Sequence, residues 1–154
     1  NAMIMKDVLI SITGVQQTPG GPSALELVTP GRYGQERDSI CLTYEETELC
    51  GMAGTTTTFH ISPRRVELKR EGTLNAEMIF EEGEKHYFLY ETPVGSIAMG
   101  LNTNRIQCRL GRHGGYMEID YTIDANEAVV GRNRFHIFVE EPKESHIGDI
   151  SWPI

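Results

Sequence analysis

The stretch TTTTFHISPRRVELK, residues 55–69, decides the fold class. Threonine is β-branched, so its side chain is stiff at χ1 and packs well on a pleated surface. Four threonines lead into Phe59 and Ile61, which share a phase and leave His60 on the other face. Ser62-Pro63 then breaks the run, because proline has no N–H to give to a ladder. Val66 and Leu68 resume the alternation against Glu67 and Lys69. A period of two, a turn, and a period of two again predict a half-buried antiparallel pair of strands.

The same grammar extends in both directions. From Met5 to Val15, Val8, Ile10 and Ile12 fall on one face, and Asp7, Ser11 and Thr13 on the other. Pro19-Gly20-Gly21-Pro22 turns the chain into a strand where Leu25 and Leu27 alternate with Glu26. Pro30-Gly31 breaks or bends that strand near Tyr33. Ile40, Leu42 and Tyr44 share a face, as do Ala76, Met78 and Phe80. A strand over 85–92 ends at the turn Thr92-Pro93-Val94-Gly95. Ile97, Met99 and Leu101 follow, then Ile106, Cys108 and Leu110. The intervening 102–104 segment reads equally as a turn or as a bend in one long strand. Arg112-His113-Gly114-Gly115 is a hairpin signal. Met117, Ile119, Tyr121 and Ile123 form the next apolar face, and 124–131 offers a longer turn. Phe135, Ile137 and Val139 complete the series.

About ten strands with short connections, and hardly any helical period, predict one all-β domain. The expected architecture is a closed antiparallel barrel of 8–10 strands over residues 3–141, since closure removes the exposed edges of a long meander. A two-sheet sandwich is the alternative. Asn1 and Ala2, ahead of a methionine, read as the remnant of an expression tag. Residues 142–154 read as a C-terminal tail ending in Trp152, the single tryptophan.

With 22 acidic against 14 basic residues, the chain carries a formal charge of −8. Such a surface repels phosphate backbones and argues against nucleic acid as a partner. The sequence shows neither a secretory signal nor an apolar run of membrane-spanning length, so the expected setting is the cytoplasm, without a membrane partner. Three cysteines (Cys41, Cys50 and Cys108) without a CxxC spacing read as small buried hydrophobes.

Six segments carry a family resemblance: TPGRYG (29–34), LTYEE (42–46), GTTTTFHI (54–61), FEEG (80–83), YETPVG (90–95) and MEIDY (117–121). Together, and in this order, they resemble the YwiB-like family of bacterial domains of unknown function. The resemblance implies a cytoplasmic bacterial protein with a lipocalin-like (calycin) barrel. It brings no established activity and no assigned residues. The Gly-x-Trp of secreted lipocalins is missing, as Gly14 is followed by Val15 and Gln16.

No constellation reads as catalytic. His60, His86, His113, His136 and His146 show no HxH or HExxH spacing, so no metal or other cofactor is expected. Glu118 and Asp120 share a face but alternate with apolar residues, as on a plain solvated strand. The clusters 45–48 and 81–84 read as solubilising turns. Arg105, Arg109 and Arg112 form a basic stripe, which either holds an anion or pairs across strands with Glu118 and Asp120. Phe88, Tyr90 and Phe138 read as apolar residues on outer faces, suited to the tail or to a second subunit. The inward residues Tyr44, Phe59, Met78, Met99, Tyr121 and Phe135, with Arg109 as a further polar handle, are the candidate ligand-binding set. A small molecule in the barrel interior or mouth is the leading expectation, and a homodimeric assembly module with a filled barrel is the alternative.

Overall fold

A computed structural model of the chain describes residues 3–48 and 51–143. Ten strands follow one another: β1 (Lys6–Thr18), β2 (Gly21–Glu36), β3 (Ser39–Glu45), β4 (Thr55–Ser62), β5 (Arg65–Gly72), β6 (Ala76–Phe80), β7 (Lys85–Thr92), β8 (Gly95–Gly111), β9 (Gly114–Ala125) and β10 (Ala128–Glu140). They form one sheet in the order β6-β5-β4-β3-β2-β1-β10-β9-β8-β7, every ladder antiparallel. The sheet curls until its two ends meet, giving a nearly closed barrel. Among the described residues short backbone bridges join the ends: Asn75 with Glu91, and Glu82 with Thr103.

Alternation decides what points inward. Ile10, Leu42, Phe80, Leu101, Met117, Ile119 and Ile137 are fully buried and come from six different strands. Burying a side chain of this kind contributes about 1.5–3 kcal/mol, so the inner face is the source of stability.

At three places the structure decides or corrects the sequence reading. The 102–104 segment is a bend inside the long β8, where the register slips between Thr103 and Arg105. That slip explains why the inward phase passes from Leu101 to Ile106. The expected long turn at 124–131 is a two-residue turn, with Asn126 and Glu127 both at positive φ. Both central residues of a type I′ hairpin need that conformation, and its twist matches the flanking strands. Pro30-Gly31 does not end β2. Pro30 pairs with Leu9, and Gly31 lets β1 and β3 crowd close.

Phe88 and Tyr90 pack inward against the core, correcting their outward assignment. Their neighbours Tyr87 and Leu89 are the exposed pair on β7. Both faces of this strand are apolar, so alternation alone had no polar face to orient it. The cysteines are less buried than expected: Cys41 is half-buried and Cys108 exposed, while Cys50 lies outside the described residues. The tail beyond residue 143, with His146 and Trp152, also lies outside them.

Candidate functional site

The inward candidates converge. Phe59, Tyr121 and Phe135 meet around Phe80, with ring centroids 5.9 Å apart for Phe59–Phe135, 5.0 Å for Phe80–Tyr121 and 5.9 Å for Tyr121–Phe135. The tilted and edge-on arrangements suit the ring quadrupoles. Phe59 and Phe80 are buried, while Tyr121 and Phe135 are half-buried and pack against them from the edge of the core. Tyr44 and Met78 are buried in the same core, and Met99 is half-buried opposite Phe88.

Arg109 stands apart. It faces Tyr116 across the ladder on the outer surface and is exposed. Its alternation with Cys108 and Leu110 dictates this, so Arg109 cannot reach a ligand held with the other six. The stripe to which it belongs meets a cation from β10: Arg134 lies 3.3 Å from Asp120 and 3.8 Å from Glu118. Those two carboxylates are therefore partnered chiefly through Arg134, while Arg105 sits opposite Asp120 in the register.

A second polar group lies within the wall of the barrel. Arg70 follows Val66 and Leu68 in phase and so turns inward from β5. Its Nε is 3.8 Å from Glu46 Oε2, and the Glu46 side chain is 2% exposed. Thr57 donates a hydrogen bond of 2.6 Å to the same carboxylate oxygen. A buried carboxylate needs such partners, because desolvation without them costs several kcal/mol. Arg70 Nη1 lies 4.0 Å from Met78 Sδ, a weak acceptor. Arg70 Nε is buried and makes no hydrogen bond among the described residues. Burial pushes the Tyr121 phenol up, and the charge of Arg70 acts against that rise.

Arg70 opens onto the seam where the sheet fails to close. Past the Asn75–Glu91 bridge, β6 and β7 leave a cleft of about 410 Å³ lined by Arg70, Lys69, Asn75, Ala76, Phe88 and Leu89, with Glu71, Glu77, Tyr87 and Glu91 at its rim. A farther hollow of about 530 Å³ includes Ile106, Cys108 and three carboxylates, Glu81, Glu82 and Glu84. Glu81 there holds His86 Nε2 at 2.9 Å. Cys108 is exposed, yet desolvation by the surrounding wall pushes its thiol up. Among the described residues no group of three or more His, Cys, Asp or Glu is placed to hold a metal ion. Nor is any helix long and apolar enough to cross a membrane.

Residues 10–137 match a domain of unknown function, DUF1934. The chain belongs to this family. It is also similar to a solved structure, the YwiB protein from Bacillus subtilis, with a TM-score of 0.81. That likeness covers 93% of this chain and 97% of the other at 22% identity, and at such identity it speaks for the fold. No curated protein matches the chain. The YwiB-like resemblance seen in the sequence therefore holds.

The sequence reading missed Arg70 and Glu46. The signal for Arg70 was present, since it sits two residues past Leu68 in an inward phase. Glu46 had been grouped with Glu45 and Glu48 as solubilising, and the structure corrects this: it is buried where the chain leaves β3.

Proposed function

We propose that this DUF1934 domain is a binding protein that takes a small molecule into the seam cleft between β6 and β7. The observation that carries the reading is the Arg70 guanidinium, one-fifth exposed, on the lining of a concave, partly apolar cleft. Ligand sites combine apolar contact with fixed polar groups; this cleft is mostly polar, and Phe88, Leu89 and Ala76 supply its apolar part beside Arg70. Glu46, itself fixed by the Thr57 hydroxyl, sits beside the guanidinium and holds it ready, which reduces the ordering cost of binding.

A second reading concerns the outer face. Leu9, Val28 and Phe138 are 36%, 63% and 42% exposed on the adjoining strands β1, β2 and β10. They suit a homodimer if the buried area reaches roughly 1,000 Å².

Native mass spectrometry of freshly purified protein, followed by denaturing extraction, separates the two. An excess mass on the monomer that is released on unfolding supports the cleft reading. A bare mass at twice the monomer favours the outer-face assembly. A bare monomer removes support from both.

A further inference from the structure

We infer that the seam cleft selects a zwitterion, a carboxylate at its inner end and an ammonium at its rim, carried on an apolar body. The inference rests on the cleft reading above and concerns the chemical class of its ligand. The inner end presents Arg70, whose fork of N–H donors matches a carboxylate bidentately. Glu46 sits on the Nε side; among the described residues the terminal nitrogens meet no carboxylate, and Nη1 has only the weak Met78 Sδ contact.

The rim has the opposite sign. Lys69 there shares the lining with Glu71, Glu77 and Glu91, one positive charge against three negative, a local balance of −2. Lys69 lies 4.0 Å from Glu71 and 3.7 Å from Glu77, so those two share it. Glu91 makes no side-chain hydrogen bond or ion pair among the described residues; only its backbone is engaged, with Asn75. Negative charge at the entrance disfavours a phosphate dianion and favours a cationic group beside Glu91. Between the two ends, Phe88, Leu89 and Ala76 offer apolar contact.

Calorimetric titration of the full chain with four probes tests this: L-phenylalanine, 3-phenylpropanoate, phenethylamine and phenyl phosphate. Phenylalanine should bind tightest, by up to roughly fivefold over phenylpropanoate, the range of an exposed ion pair. Phenyl phosphate and phenethylamine should be weaker. Arg70→Lys should weaken both carboxylate probes about tenfold through the lost fork geometry. Arg70 is part of the packed wall, so Glu91→Gln, at the exposed rim, provides a second variant that leaves the core untouched. It should abolish the preference for phenylalanine over phenylpropanoate. Equal binding of phenethylamine and phenylalanine, or an unchanged preference in Glu91→Gln, overturns the inference. No probe binding while native mass spectrometry still releases an adduct overturns the inference and leaves the cleft reading standing. No probe and no adduct removes the reading itself.

Discussion

Arg70 Nε and Glu46 Oε2 lie 3.8 Å apart within the barrel wall, the carboxylate almost wholly buried and the guanidinium one-fifth exposed. Breaking a buried pair by removing one partner leaves the other charge uncompensated. Glu46→Ala should therefore destabilise the fold by about 2–4 kcal/mol, somewhat below the fully buried case because Arg70 retains some solvent. Denaturant unfolding of the variant measures it, and a loss under about 1 kcal/mol would show that the pair is not structural.

The aromatic centre makes a sharper stability prediction. Phe80 is fully buried and touches both Tyr121 and Phe135. Phe80→Ala should cost about 3–5 kcal/mol, transfer plus cavity. Phe138→Ala, on the outer face, should cost well under half as much. Similar midpoints for the two variants would contradict the assignment of faces.

Gly115 has φ of 133°, and a Cβ there would collide with the Arg109 carbonyl. At Gly111 an added Cβ meets nothing within 4 Å. Gly115→Ala should lose more than about 2 kcal/mol, from strain of a non-glycine residue in that region plus the clash. Gly111→Ala should change stability by less than about 1 kcal/mol. Thermal melts of the two single variants compare them directly.

Tyr33 is buried and donates a 2.7 Å hydrogen bond to the Gly111 carbonyl. Burial, and to a lesser degree Cys108, push its phenol up to about 12. An acid whose folded pKa is raised stabilises the fold fully below its unfolded pKa, near 10, and loses that contribution as pH rises toward 12. Stability should fall across that alkaline window, and Tyr33→Phe should flatten part of the fall. Its cost at neutral pH should be about 1 kcal/mol, the worth of one hydrogen bond. Ultraviolet titration of phenolate alongside denaturant midpoints checks both.

Strand alternation made most of the fold legible. The phases of Val8, Ile10 and Ile12, of Phe59 and Ile61, and of Met117 and Ile119 survive in the structure because each strand has one polar face. The reading failed where that contrast disappears. On β7, Tyr87-Phe88-Leu89-Tyr90 is apolar on both faces, and the strand borders the open seam. The candidate site was legible only in part. Inward aromatic residues were found, but Glu46 looked like one more acid in a turn, and its burial depends on Thr57 and Arg70 arriving from β4 and β5. The seam itself comes from how far the sheet curls, a long-range property that local periodicity does not carry.

The most direct measurement is the Arg70 Nε–H resonance, with the backbone amides of Ala76, Phe88 and Leu89, followed by NMR during titration with L-phenylalanine. A ligand in the seam cleft should shift these signals together and saturably, while the amides of Leu9, Val28 and Phe138 on the outer face stay in place. Movement confined to the outer face, or none at the Arg70 side chain, would contradict the account.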